Sequence, residues 1–248
     1  MNEGYFRYVA ERPDIARRDV RIIRAQAPEA LDIVDLGCGR GDFLSVGGRV
    51  FDRVIGLDNH PTSARICQSK GLPCLLGDVD ALPFRAASLD VVRAKDIIEH
   101  LTDARPMLRE IHRVLKPDGL LLVYAPSQFC PLYPVANFWD DYTHVRPLSR
   151  LGLRRLLEDT GFEITFIAGY TAGRNIVERF LARVMSLVVP YWWLSAARRP
   201  SGNAGSSVSE GPSPTGRAER PIATTENTDV ARVVQKIPDK PGYSPEER

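Results

Sequence analysis

Apolar and polar residues alternate along the first half of the chain in patterns that distinguish helices from buried strands. Asp14 to Gln26 carries apolar side chains at helical spacing, with Asp14 as a plausible N-cap. Short apolar runs then alternate with amphipathic segments up to about Tyr124. This alternation predicts an α/β fold, in which helices cover both faces of a doubly wound, mostly parallel sheet.

Further elements are predicted after this alternating region. Leu148 to Thr160 has helical spacing and stops at Gly161, a residue at which helices commonly end. Phe162 to Gly169 has the character of a strand, and Tyr191 to Ala197 is a candidate for the last strand. The folded part is therefore expected to reach about residue 198.

The chain changes composition beyond residue 198. This segment holds seven prolines, many serines and glycines, and a single aromatic residue, Tyr243. Such a segment cannot bury enough apolar area to offset the entropy lost on ordering. We therefore predict one folded domain over residues 1–198 and a disordered tail over residues 199–248.

Three glycines at alternate positions follow the first predicted strand, Leu31 to Leu36. They are Gly37, Gly39 and Gly41. Glycine permits a sharp turn and lets a ligand approach the backbone N–H groups without a Cβ in the way. A helix that begins near Gly41 would also point its free N–H groups and positive dipole end at the same place. The loop is a candidate site for the anionic end of a cofactor.

The spacing of the glycines differs from two known classes of cofactor-binding loop. A dinucleotide fingerprint needs a third glycine where this chain has Asp42, and the Gly-Lys-Ser/Thr triplet of a P-loop is missing. An acidic residue that faces a ribose is still expected about 20 residues on, at the end of the next strand. Asp58 ends the apolar run of residues 54–57 and meets that expectation.

From these residues onward the chain resembles the class I S-adenosylmethionine-dependent methyltransferases, most closely their small-molecule branch (the type 11 and type 23-like members). The resemblance covers roughly residues 33–168 and implies a seven-stranded sheet with an antiparallel last strand. It also implies S-adenosylmethionine as the cofactor. The segments that continue it after the glycine loop are Gly77 to Phe84, Leu89 to Val92, Asp96 to Leu101 and Met107 to Tyr124.

The resemblance implies particular roles in cofactor binding. The glycines would line the methionine end, and Asp35 would help to fix their loop. Asp58 would accept hydrogen bonds from both ribose hydroxyls. Asp78 would bind the adenine amino group, while the backbone N–H of Val79 would donate to the adenine ring. The implied cofactor-binding residues are Asp35, Gly37, Gly39, Gly41, Asp58, Asp78, Val79 and Asp96.

An acceptor hydroxyl needs a base, and His144 is the candidate catalytic residue. It lies between the fifth strand and the following helix, in a region that closes over the methyl group in the resembled enzymes. A neutral imidazole there could take a proton from a phenol or sugar hydroxyl. The alternative is that His144 and Arg146 only hold the lid in place by hydrogen bonds.

Asp96, Glu99 and His100 carry a second interpretation. Ubiquinone-pathway O-methyltransferases and small-RNA 3′-end 2′-O-methyltransferases have a Glu-x-x-Glu-His cluster here that is associated with a divalent metal. This chain has Asp96 in place of the first glutamate. Glu-His is also frequent here in relatives without a metal, where it caps the helix or contacts the cofactor. A metal is therefore an open alternative, and no residue is assigned to one.

Composition limits the partners and the compartment. A net charge of +2 over 248 residues implies no broad field for nucleic acid. The four cysteines, at positions 38, 67, 74 and 130, show no zinc spacing, and Cys38 is predicted to be a packing residue. With no export signal, a reduced cytoplasmic setting is the simplest inference. Val184 to Leu194 is too short to span a bilayer and is expected to be a helix that leads into the last core strand, with weak membrane-surface association as the alternative.

We therefore expect a methyltransferase that acts on a small-molecule acceptor, with oxygen as the favoured atom and no nucleic-acid partner. One alternative is an RNA 2′-O-methyltransferase with a divalent metal. Another is a non-catalytic protein that binds S-adenosylmethionine and serves as a scaffold. The identity of the acceptor and the oligomeric state stay open.

Overall fold

The computed structural model describes residues 13–127, 138, 141–170 and 192–201 of the chain. The chain divides into two compact units, residues 1–200 and 201–248, and the second lies outside the described residues apart from Ser201. The predicted disordered tail falls there, so it stays a prediction.

The helices and strands follow the predicted alternation. The described helices are α1 (Pro13–Gln26), α2 (Asp42–Gly47), α3 (Pro61–Ser69), α4 (Arg105–Val114) and α5 (Arg150–Asp159), with a 3-10 turn at Ile98–His100. The described strands are β1 (Asp32–Leu36), β2 (Arg53–Asp58), β3 (Cys74–Leu76), β4 (Leu89–Ala94), β5 (Leu115–Pro126), β6 (Glu163–Tyr170) and β7 (Trp192–Arg198).

Two helices show how particular residues determine where a helix begins or ends. Helix α5 begins after Ser149, whose hydroxyl accepts the N–H of Gly152 at 2.9 Å, and it is followed by Gly161 at φ 91°. Helix α1 differs slightly from the prediction, because it begins at Pro13 and places Asp14 inside the first turn. Proline is well suited to that first position, since its missing N–H would have no partner there.

The strands form one seven-stranded sheet with the order β3-β2-β1-β4-β5-β7-β6. The first five strands are mutually parallel, and β7 is antiparallel to both of its neighbours. The prediction of a mostly parallel sheet with an antiparallel last strand is confirmed. Because strand order reverses at β1, the carboxyl ends of β1, β2 and β4 meet at the topological switch point, where α/β proteins bind ligands.

Strand β5 runs from Leu115 and contains a turn-like stretch at residues 116–119. The pairing with β4 changes register here, from Leu89 opposite Leu115 to Val91 opposite Leu120. The turn is therefore kept as an irregularity within the strand, where Asp118 has a φ of 61°.

The sheet is buried on both faces, as the doubly wound prediction requires. On one face Leu121 and Val123 pack with α4 residues such as Leu108, while Leu120 and Leu122 point to the other face, towards α1. This alternation of successive residues follows from the period of two in a strand. From Leu120 to Ala125 both sides of β5 are fully buried, which explains the continuous run of apolar residues there.

The apolar stretch of residues 184–194 lies mostly outside the described residues. Its last residues belong to β7, where Leu194 is buried in the core. Among the helices that the structure describes, none has the length and apolar content needed to cross a bilayer.

Candidate cofactor and acceptor site

The glycine loop leaves β1 with three left-handed residues. Gly37, Gly39 and Gly41 have φ angles of 62°, 54° and 79°, a region that residues with a Cβ avoid. A Cβ on Gly37 would lie 2.9 Å from the side chain of Ile97, and one on Gly41 would lie 2.6 Å from that of Leu72. A Cβ on Gly39 would meet nothing nearer than 4.0 Å. The outer two glycines therefore permit close packing, while the middle one leaves open space beside its backbone.

Asp58 lies at the end of β2 and holds the glycine loop. Its Oδ2 accepts the N–H of Gly39 at 2.9 Å, and its Oδ1 accepts the N–H of His60 at 2.9 Å. A carboxylate offers about four acceptor positions, so two remain for hydroxyl donors of a ligand. The arrangement fits the predicted ribose contact and adds a second role in the shape of the loop.

The segment predicted to bind adenine lies beside Asp58. The N–H of Gly77 donates to the backbone carbonyl of Asp58 at 3.0 Å. The Asp78 side chain is exposed, and its Oδ1 accepts the N–H of Asp80 at 3.0 Å. Val79 is half-buried against the apolar core. Asp78 and Val79 are thereby placed at the same edge of the sheet as the glycine loop.

Asp96 follows β4 in a strained backbone conformation, with a φ of 54°. One carboxylate oxygen pairs with the ammonium of Lys95. The other, Oδ1, is buried and has no hydrogen-bond partner among the described residues. Buried polar atoms are nearly always paired in folded proteins, so this oxygen suits a donor from a bound ligand.

Glu99 is buried next to Asp96, with 1% of its surface exposed. Burial raises the pKa of its carboxyl well above the ordinary value, and the charge of Asp96 raises it further. Its Oε2 has no partner among the described residues. Its backbone carbonyl accepts the N–H of Val145 at 2.7 Å, which docks the segment of residues 141–147 over this site.

His144 lies in that segment with a defined ring orientation. Its Nδ1 is 2.7 Å from the carbonyl oxygen of Phe138, which can only accept, so Nδ1 carries the proton and a neutral ring has its lone pair on Nε2. The Nε2 atom is 3.8 Å from Oδ2 of Asp141. The ring centroid lies 4.7 Å from that of His100, whose pKa is lowered by burial and by His144.

The structure joins two sets of residues that the sequence treated separately. Glu99, His100 and His144 place one potential ligand atom each within 4.8 Å of one another. A carboxylate and two imidazoles form a donor set that divalent ions such as Zn²⁺ or Mn²⁺ accept. Asp96, which the metal alternative included, is outside this group and pairs with Lys95.

Asp35, which was predicted to help fix the glycine loop, forms a buried ion pair with Arg93. Its carboxylate is 1% exposed and binds Nη1 of Arg93 at 2.6 Å, while Nε of Arg93 binds Asp19 at 2.7 Å. Burial lowers the pKa of Arg93, but the two carboxylates outweigh that effect and raise it. The loop itself is held by Asp58, which accepts the N–H of Gly39, and by the carbonyl of Leu57, which accepts the N–H of Gly37 at 2.8 Å. The predicted role of Asp35 in fixing the loop stays a prediction.

Sequence reasoning missed this buried ion cluster. Arg93 stands in an otherwise apolar buried strand, and a charge in that position requires a partner. That signal was available, but it could not identify the partners. Asp19 lies 74 residues away in α1 and Asp35 lies 58 residues away in β1.

Comparisons with known proteins agree with this fold. Residues 34–123 match the family model described as "Methyltransferase domain". A protein of Mycolicibacterium smegmatis, named "Probable S-adenosylmethionine-dependent methyltransferase", is 33% identical over 156 residues, which are 59% of this chain and 58% of that protein. A mouse tRNA (carboxymethyluridine(34)-5-O)-methyltransferase is 30% identical over 110 residues, which are 43% of this chain and 16% of that protein.

A solved structure has the same architecture. The S-adenosylmethionine-dependent methyltransferase of Archaeoglobus fulgidus superposes with a TM-score of 0.62 at 21% identity, over 79% of this chain and 97% of that one. The chain thus shares a fold with it, and it spans less than two thirds of the mycobacterial relative's length. The matched family model therefore shows that residues 34–123 are similar to a methyltransferase domain.

Proposed function

We propose that this protein transfers the methyl group of S-adenosylmethionine to a hydroxyl oxygen of a small-molecule acceptor, with His144 as the base. The proposal rests on the positions of Gly39, Asp58 and Asp96, which lie at or just after the carboxyl ends of β1, β2 and β4, at the switch point of the sheet. Each side chain or backbone group there offers what one part of the cofactor needs. When bound, the cofactor supplies a methyl group that its positive sulfur has already activated.

Different residues of the site would bind different parts of the cofactor. The open backbone of Gly39 suits the methionine end, and the free acceptor positions of Asp58 suit the ribose hydroxyls. The partnerless Oδ1 of Asp96 suits the methionine ammonium group. Asp78 would accept from the adenine amino group, and the backbone N–H of Val79 would donate to the adenine ring.

His144 would act on the acceptor. Its neutral ring, held through Nδ1, presents the lone pair of Nε2 for the proton that leaves the acceptor hydroxyl. Oδ2 of Asp141 lies 3.8 Å from Nε2, the atom that would take up the proton. The docked segment that carries both residues would also exclude water and align the acceptor oxygen with the methyl group.

The test compares His144→Ala with His112→Ala, a control on α4 that contacts Phe162 and lies outside the proposed site. Turnover is measured against a panel of phenols, sugars and polyprenyl alcohols, and cofactor binding is measured by calorimetry. We expect His144→Ala to lose about 100-fold or more in kcat, the scale of general-base catalysis, with cofactor affinity kept. Normal turnover in this variant would remove the base assignment. Cofactor binding without turnover of any acceptor by the wild type would favour the scaffold alternative.

A second candidate mechanism rests on the donor set of Glu99, His100 and His144. These three residues would hold a divalent ion that polarises the acceptor oxygen, and no separate base would then be needed. Chelation separates the two mechanisms. Activity that disappears with a chelator and returns with Mn²⁺ or Zn²⁺ supports the metal, whereas activity that persists supports His144 acting alone.

A nucleic-acid acceptor is the less favoured alternative. The mouse relative is named for a tRNA substrate, but this chain matches only 16% of its length. The net charge of +2 does not supply the basic surface that phosphate binding requires. Cytoplasmic location and weak membrane-surface association likewise stay predictions.

A further inference from the structure

Three cysteines that are scattered in the sequence come together beneath the glycine loop. Cys38 lies in that loop, Cys67 in α3 and Cys74 at the start of β3. Their Sγ atoms all lie within 4.8 Å of one another, and those of Cys38 and Cys74 are 3.4 Å apart. The spacing of these residues did not suggest a metal site, and Cys38 was predicted to be a packing residue. The fold creates the cluster by pairing β2 with β3 and packing α3 against them.

Neighbouring glycines leave room for the thiols. A Cβ on Gly56 would lie 2.5 Å from Sγ of Cys38, and a Cβ on Gly41 would lie 3.2 Å from Sγ of Cys67. Any side chain at Gly56 would therefore occupy the space of the sulfur. Cys38 and Cys67 are buried, while Cys74 is half-buried. Cys74 is therefore the member of the cluster that is partly exposed to solvent.

We propose that Cys38, Cys67 and Cys74 bind one thiophilic closed-shell metal ion, with Cu⁺ as the ion that fits best. Thiolates select Cu⁺ and Zn²⁺ over harder ions. Zinc in proteins is almost always held by four ligands at a Zn–S distance of about 2.3 Å. Among the described residues the group holds three sulfur ligands, a number that suits trigonal Cu⁺ better than tetrahedral zinc.

Binding would need only small movements of the side chains. Three sulfurs at about 2.3 Å from a common ion lie roughly 4 Å apart, by the geometry of the metal–sulfur bond length. The observed separations, from 3.4 Å to at most 4.8 Å, bracket that value. Each thiol that still carries its proton would release it on binding, so affinity should fall as the pH is lowered.

The test measures Cu⁺ uptake by the full chain under anaerobic conditions, in competition with a chromophoric Cu⁺ chelator and without added cofactor. We expect one Cu⁺ per chain in the wild type. Cys74→Ser and Cys67→Ala should each weaken uptake by at least about 100-fold, since even loss of an outer-shell partner costs 10- to 100-fold. The matched control is Cys130→Ser, which removes a cysteine that is not among the three proposed ligands and should leave uptake unchanged.

Circular dichroism identifies any variant that fails to fold, and Cys74→Ser, at the half-buried position, then decides the question. Cu⁺ uptake that is equal in the wild type and in folded Cys74→Ser would overturn the proposal. So would uptake that disappears in Cys130→Ser. Because the measurement needs neither cofactor nor acceptor, its failure would leave the proposed methyl transfer unaffected.

Discussion

The backbone N–H of Gly39 donates a 2.9 Å hydrogen bond to Oδ2 of Asp58, across 19 residues of sequence. This contact joins the glycine loop after β1 to the acidic residue at the end of β2. The sequence pattern assigned the two to different parts of the cofactor. The structure adds that the carboxylate which would bind the ribose also sets the shape of the loop that would bind the methionine end.

Asp58→Ala should therefore weaken cofactor binding more than the loss of a ribose contact alone. A hydrogen bond to a charged group contributes about 1.5–3 kcal/mol, so losing the ribose contacts and the loop anchor should raise Kd by about 100-fold or more. Calorimetric titration with S-adenosylhomocysteine measures this. Asp58→Asn, which keeps one oxygen and the volume, should lose less. Unchanged affinity in the alanine variant would contradict the placement of the ribose at this residue.

Gly41→Ala should disturb the loop through both backbone strain and a steric clash. The new Cβ would lie 2.6 Å from the Leu72 side chain, and the alanine would have to keep the φ of 79° that Gly41 has. Gly71→Ala provides the matched control, because its φ is 67° and nothing lies within 4 Å of its Cβ. The control should lose about 1–2 kcal/mol from strain. Urea denaturation should show a larger loss for Gly41→Ala, and equal losses would mean that the clash relaxes without cost.

Arg93→Leu should strongly destabilise the fold, because it leaves the buried carboxylates of Asp19 and Asp35 without the cation that pairs with both. Removing one member of a buried ion pair costs about 3–5 kcal/mol. Arg53→Leu breaks the ion pair with Asp32, in which the Arg53 side chain is 57% exposed, and should cost much less because solvent screens an exposed pair. The free energy of unfolding from urea titration compares the two. Similar losses would show that the buried cluster contributes little to stability.

Glu99→Gln should stabilise the metal-free protein at pH 8. The pKa of the folded carboxyl is raised above the ordinary value of 4.5, so the unfolded chain releases this proton at a lower pH than the folded chain does. The fold is therefore penalised as the pH rises above 4.5, and glutamine removes that penalty. We expect a gain of about 1–3 kcal/mol at pH 8 in the presence of a chelator, which shrinks as the pH falls towards 4.5.

Glu110→Gln is the control of opposite sign for this measurement. The guanidinium of Arg113 lowers the pKa of Glu110, so its stabilising effect is present above pH 4.5 and lost below it. This variant should lose a little stability at pH 8 rather than gain it. A loss of stability at pH 8 in Glu99→Gln would show that the buried carboxylate has a favourable partner.

The sequence alone was sufficient to predict the parallel part of the sheet, the glycine loop and the acidic residue at the end of β2. These features depend on local spacing. The period of apolar residues identifies each strand, and the order of strand, loop and helix determines where a parallel strand delivers its carboxyl end.

Contacts between distant elements depended on tertiary packing. Local spacing could not show that β7 would lie between β5 and β6, or that Asp35 would pair with Arg93. The meeting of His144 with Glu99 and the convergence of three cysteines also follow from how loops and helices pack on the sheet. The physical reason is that the period of apolar residues shows which face of a helix or strand is buried. Which other element covers that face depends on the shapes and charges of all the elements together.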